Sequence, residues 1–163
     1  MLYFKTVSFP DHTYQPEVEK ALRNAALKKT LSLDFKSTTM NTGTDKLFFG
    51  LEEKNAIKFT RIRTSFEGFL PKLIIKLPKD TSVRDYQIRL GATSFGLFIL
   101  LCFGLLSVTV GTINGSADAV DALIFIAASA LFVSLLLLEL KLTTSRVNKA
   151  LVFKASASMV KSV

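Results

Sequence analysis

The stretch GATSFGLFILLCFGLLSVTV, residues 91–110, decides the fold of this chain, and AVDALIFIAASALFVSLLLLEL, residues 119–140, completes the decision. No charged residue occurs from Gly91 to Ala117, and none from Ala122 to Leu138. A bilayer's hydrocarbon core is about 30 Å thick, so a spanning helix needs roughly 20 apolar residues at about 1.5 Å each. Residues 91–110 meet that length outright, and residues 119–140 meet it with Asp121 at the interface. Neither run keeps the polar face that a helix on a soluble core would retain. Two transmembrane helices, 91–111 and 119–140, are therefore expected, joined by a short external loop at 112–118. Asn114-Gly115-Ser116 marks the turn, and Ser116 or Asp118 is placed to cap the second helix.

Charge orients the hairpin. The chain has 21 Lys and Arg and a net charge of +8, and every cation lies outside the two apolar runs. Arg84 and Arg89 precede the first span, and Lys141, Arg146 and Lys149 follow the second. The connecting loop holds no cation but contains Asp118. Positive flanks mark the cytoplasmic side, so both termini are expected in the cytoplasm, with a bacterial inner membrane as the expected location. Those five cations are read as basic groups at the membrane surface. Anionic headgroups attract such groups by about 1 kcal/mol each near the surface. Lipid accounts for the basicity better than nucleic acid does, and no nucleic-acid partner is expected. Among the first 30 residues Asp11, Glu17 and Glu19 stand with several lysines and no apolar core. The first span is thus expected to serve as its own insertion signal.

Residues 1–90 read as a cytoplasmic β-rich domain. Leu2, Phe4, Val7 and Phe9 alternate loosely, as in a strand. Pro16 suits a first helical turn and Glu17 and Glu19 its positive end, with Val18, Ala21, Leu22 and Ala25 following at helical spacing. This predicts an amphipathic helix over about 16–29. From Leu31 the period becomes two: Leu31, Leu33, Phe35; then Leu47, Phe49, Leu51; Ile57, Phe59, Arg61; Leu73, Ile75, Leu77; and Tyr86, Ile88, Leu90. Short strands at this spacing predict an antiparallel sheet. Ser37–Asp45 is a polar loop. The fold class expected is an α+β membrane protein, a small antiparallel sheet domain with one amphipathic helix plus a transmembrane hairpin. The basic tail 141–163 reads as helix, because the second span can continue past Glu139, or as a strand over 150–155 completing the sheet.

Small residues recur at matched offsets on the two spans: Gly104, Ser107 and Gly111, and Ala127, Ala130 and Ser134. Small residues let backbones approach in lipid. Either the two faces meet within the hairpin, or one of them faces another chain.

The search for chemistry is short. His12 is the only histidine and has no partner pattern for a base or a metal. Cys102 lies within the first span, where it can form no internal disulfide. Asp118 and Asp121 suit helix capping. Glu139 is the acid at the inner end of a span, within reach of Lys141, Arg146 or water. An ionisable group at a membrane boundary is a functional hypothesis by default. There is no phosphate loop, no paired carboxylate within a span and no Ser–His arrangement. No enzymatic activity, cofactor or metal is expected. Two helices without polar interior residues enclose no transport path. The basic-aromatic run Phe59-Thr60-Arg61-Ile62-Arg63 reads as one strand of a basic sheet.

Phe49-Gly50, Ile57-Lys58-Phe59-Thr60-Arg61, Ser65-Phe66 and Leu70-Pro71, followed by Leu73–Leu77 and a membrane hairpin, resemble small bacterial two-span proteins with a YcxB-like or pleckstrin-homology-like β domain. The resemblance covers about residues 45–140. It implies a membrane-attached β domain and carries no catalytic residues. The expected partners are the lipid bilayer and another membrane or cytoplasmic protein, or a second copy of the chain. The function expected is a membrane-anchored interaction module binding a protein or anionic lipid, or alternatively an accessory subunit docking through its hairpin.

Overall fold

Period-two patterning in the first half of the chain builds one six-stranded sheet. A computed structural model describes residues 3–9, 15–29, 32–34, 46–80, 84–115 and 118–160, with side chains up to residue 151. The strands are β1 (Tyr3–Ser8), β2 (Ala26–Lys29), β3 (Phe48–Glu52), β4 (Ala56–Arg61), β5 (Leu73–Pro78) and β6 (Asp85–Leu90). Their order across the sheet is β1-β6-β5-β4-β3-β2. The β3–β4, β4–β5, β5–β6 and β1–β6 pairs are antiparallel, and β2 pairs parallel to β3. The sheet is thus mixed, where uniform antiparallel pairing was expected.

That difference starts in the first helix. α1 (Gln15–Asn24) buries Val18, Ala21 and Leu22 at the expected spacing, but it stops at Asn24 instead of reaching residue 29. The Ala25 carbonyl accepts the N–H groups of Leu47 and Phe48 at 2.8 and 3.1 Å. From there Ala26–Lys29 run along β3 as an edge strand. Sheet pairing at the edge of β3 outcompetes the continued helical periodicity, as tertiary context routinely does over local propensity. The strand expected around Leu31–Phe35 differs too: Leu33 and Asp34 form a turn, and Leu31 and Phe35 lie outside the described residues. The polar loop 37–45, Ser116 and His12 also lie outside them.

The two apolar runs form α2 (Ala92–Ile113) and α3 (Ala119–Val160). Both are long and apolar enough to cross a bilayer. The loop between them is a residue or two shorter than expected, with Gly115 at φ 69° supplying the left-handed turn residue. The Asp118 carbonyl accepts the Ala122 N–H at 3.3 Å, and the side chains of Asp118 and Asp121 are exposed. α3 does not end with the apolar run. The whole helix is 42 residues long, about 63 Å at 1.5 Å per residue, so most of the expected tail is the second half of this helix. Of the two tail readings, helix is the one observed.

α1 and the C-terminal half of α3 cover one face of the sheet. Phe48, Ile57, Phe59, Leu73, Ile75, Leu77 and Ile88 pack there against Val18, Leu22, Val147 and Ala150. On the other face Leu33 packs with Phe49, Ile62 and Ile74. The helical hairpin is held by Phe98 and Phe132, ring centroids 6.2 Å apart, and by Phe125 lying on Gly104. A Cβ at Gly104 would stand 2.2 Å from the Phe125 ring. Gly104→Ile should therefore destabilise the hairpin by about 1–3 kcal/mol through overpacking, read as a lowered melting temperature of the monomer in mild detergent. An unchanged melting temperature would remove Gly104 from the contact.

Candidate functional site

β4 ends against the hairpin, and there the alternation that buries Ile57 and Phe59 continues into charge. Arg61 occupies the next position on that face and is 1% exposed. Its guanidinium donates to Glu139 of α3 through Nη2 at 2.6 Å and Nε at 3.2 Å. Its Nη1 donates to Glu67 at 2.6 Å. Arg63 donates to Glu139 at 3.2 Å and to the carbonyls of Leu70 and Pro71 at 2.7 and 2.8 Å. Glu139 itself is completely buried, and Thr143 one turn later donates to it at 3.5 Å. The fork of an arginine matches a carboxylate bidentately, which suits it to a buried pair.

Glu67 extends the network. It lies in a short 3-10 turn, Ser65–Phe69, and accepts the Thr64 N–H at 2.9 Å. Arg146 of α3 approaches it at 3.7 Å and donates to the Ile62 carbonyl at 3.1 Å. Burial pushes the Glu67 carboxyl up, but the Thr64 N–H and Arg61 together hold it below the usual carboxylate range. The network thus joins β4, the turn and α3.

A second ion pair clamps the start of α2. Arg89 on β6 makes a bidentate pair with Asp34, at 2.9 and 2.8 Å. Asp34 also accepts the Ala92 N–H at 3.1 Å, satisfying a donor at the positive end of α2. The Arg89 fork holds the Asp34 carboxyl below its ordinary range against the effect of burial. Next to it, the Lys72 N–H donates to the Ser94 hydroxyl at 2.6 Å and the Lys72 carbonyl accepts the Gly91 N–H at 2.8 Å. The Lys72 ammonium donates to the Asp34 carbonyl at 3.3 Å. Burial, with Arg63 nearby, pushes Lys72 down to about 8.

Several expected sites therefore change character. Arg89, read as a membrane-surface cation, is 1% exposed and neutralised by Asp34. Arg146 is half-buried and bonded within the protein. Arg84, Lys141 and Lys149 are exposed. Glu139 faces Arg61 and Arg63 rather than Lys141 or water. Helical geometry explains this: residues 139, 143, 147 and 150 share the face of α3 that meets the sheet, while Lys141 points away. Of the small residues, Gly104 meets Phe125 and Gly111 is half-buried. Ser107, Ala127, Ala130 and Ser134 are exposed. The described contacts of the hairpin are aromatic: Phe98 with Phe132, and Phe125 on Gly104.

Sequence reading passed over the Arg61–Arg63–Glu139 cluster. A signal was present in it: two arginines continue the buried face of an otherwise apolar strand, and a lone acid closes a long apolar run. The chemistry of the cluster is structural pairing. Among the described residues no three His, Cys, Asp or Glu side chains gather as a metal site. Cys102 is exposed on α2. No protein family, no curated protein and no solved structure matches the chain.

Proposed function

We propose that this chain is a membrane-anchored interaction module: α2 and the first half of α3 cross the bilayer, and the sheet is held against the cytoplasmic face to dock a protein partner or anionic lipid. The observation that carries this reading is the burial of Glu139 between Arg61 and Arg63. It ties the inner end of the second apolar run directly to the sheet. With the Asp34–Arg89 clamp on α2, both helices leave the domain at fixed positions, so the domain sits at one height and orientation instead of swinging on a tether. Phe66 and Phe69 support the same reading. They are 93% and 86% exposed, in the turn beside the hairpin, where the bilayer interface would cover them. The absence of cations between the spans and their density in both flanks orient the module.

Single cysteines in a Cys102→Ser background test the topology. Asn114→Cys should react with a membrane-impermeant maleimide on intact bacterial cells, and Lys149→Cys only after permeabilisation. The reverse pattern would invert the module, and equal labelling of both sites would remove the spans.

A second reading, an accessory subunit docking through its hairpin, is favoured by the exposed triad Ala127, Ala130 and Ser134. Replacing the outer hairpin, residues 103–131, by an unrelated apolar hairpin separates the two. Partners recovered in mild detergent should persist if the sheet docks them and disappear if the hairpin does.

A further inference from the structure

The short turn Ser65–Phe69 is built inside out. Its carboxylate is turned inward: Glu67 accepts the Thr64 N–H at 2.9 Å and pairs with Arg61 at 2.6 Å. Its two phenylalanines are turned outward, and both are almost fully exposed. A 3-10 helix has about three residues per turn, so side chains three apart eclipse. Phe66 and Phe69 therefore stand on one side of the turn, about 6 Å apart along it at about 2.0 Å per residue. Two large apolar rings held out by a turn whose polar group is engaged within mark a surface for an apolar partner.

The position of the turn selects that partner. One guanidinium, that of Arg61, donates to Glu67 through Nη1 and to Glu139 through Nη2, both at 2.6 Å. Glu139 directly follows the charge-free run 122–138 of α3. On the other helix, Gly91 stands at the start of the charge-free run, and its N–H donates to the Lys72 carbonyl at 2.8 Å. Residues 67–72 are thus linked to both apolar runs at the ends where charge begins. Phe69 also borders the same crevice as Leu97, Leu131 and Phe132, so its ring continues the apolar surface of the hairpin.

We propose that Phe66 and Phe69 form a wedge that enters the boundary between headgroups and acyl chains in the leaflet from which the two helices emerge. The inference rests on the membrane-anchored reading and names the lipid surface as the partner of this turn. Apolar side chains at such a boundary sit about 5–10 Å below the headgroups. The wedge is a third contact with the bilayer, made by the sheet side of the molecule, beside the two helix exits. The contact needs no anionic lipid, because the rings carry no charge and Glu67 is neutralised by Arg61.

The chain has no tryptophan, so a single introduced indole reports its own surroundings. The full chain is reconstituted in phosphatidylcholine vesicles, with and without bromine on one acyl chain, as four variants. Leu106→Trp, on an exposed position within the α2 run, reports insertion of the hairpin. Lys54→Trp, exposed in the turn before β4 and so at the far end of that strand from Arg61, reports the distant side of the sheet. Phe66→Trp and Phe69→Trp report the wedge. The expected result is loss of emission to brominated lipid in Leu106→Trp, Phe66→Trp and Phe69→Trp, and none in Lys54→Trp. The loss should be the same when a minority of phosphatidylglycerol is added. No loss in Leu106→Trp would overturn the membrane-anchored reading and the wedge with it. Loss in Leu106→Trp with none in Phe66→Trp and Phe69→Trp would overturn the wedge alone. Blue-shifted but unquenched emission from the two turn variants would assign the rings to a second copy of the chain, and quenching that requires phosphatidylglycerol would assign the contact to headgroup charge. Either would overturn the proposal.

Discussion

Glu139→Leu should be the most damaging single substitution in the described part of this protein. It removes the carboxylate that accepts from both Arg61 and Arg63 while leaving the two guanidiniums buried. Breaking a buried pair from one side costs about 3–5 kcal/mol, because the remaining charge keeps its desolvation penalty and loses its compensation. Glu67 still offers one acceptor to Arg61, and the Leu70 and Pro71 carbonyls still accept from Arg63. These reduce the loss without cancelling it. The melting temperature of the full chain in mild detergent should fall sharply. The double variant Arg61→Met with Glu139→Leu should recover a substantial part of the loss, since well-packed apolar replacements of a buried pair are often neutral. If the double variant is as unstable as the sum of its single variants, the pair is not coupled, and the anchoring role given to Glu139 fails.

Asp34→Asn ranks second. It takes the bidentate partner from Arg89, which is almost completely buried, and weakens the acceptor for the Ala92 N–H at the start of α2. A loss of about 3 kcal/mol is expected. The effect has a pH signature with a definite sign. The Asp34 carboxyl is held below its unfolded value, so the folded state binds fewer protons than the unfolded one as pH falls. Its contribution is complete above the unfolded value of about 4 and disappears as pH drops through the folded value. Wild type should therefore lose stability relative to Asp34→Asn on acidification below about pH 4, followed by circular dichroism in detergent. A constant difference between the two proteins across that range would show that Asp34 acts without its charge.

Both variants act where the helices meet the sheet, which links them to the proposed function. A domain tied to its two long apolar helices by buried ion pairs holds them at fixed positions. Buried ion pairs contribute less to net stability than to conformational definition in some systems, and a module that must hold one pose on a surface has use for that definition.

What the sequence by itself determined is what depends on neighbours along the chain. Two charge-free runs of about twenty residues specify two long apolar helices, because the signal is a local sum of transfer energies. Alternation specifies β3, β4, β5 and β6, because side-chain period follows from strand geometry. Pro16 and the spacing of Val18, Ala21 and Leu22 specify α1. The tertiary structure decided everything that rests on residues far apart in the chain. Arg61 and Glu139 are separated by 78 positions and Asp34 and Arg89 by 55, and no periodicity records such partners. It turned Ala26–Lys29 from helix into a parallel edge strand, because β3 offered a row of unpaired backbone groups there. Of the two readings open for the tail it selected helix over a strand at 150–155, with Thr143, Val147 and Ala150 buried on the side of α3 that meets the sheet. And it locked the C-terminal end of the second apolar run to the sheet through Glu139, since the side chain that looks like a boundary acid in sequence is the one the sheet's arginines enclose.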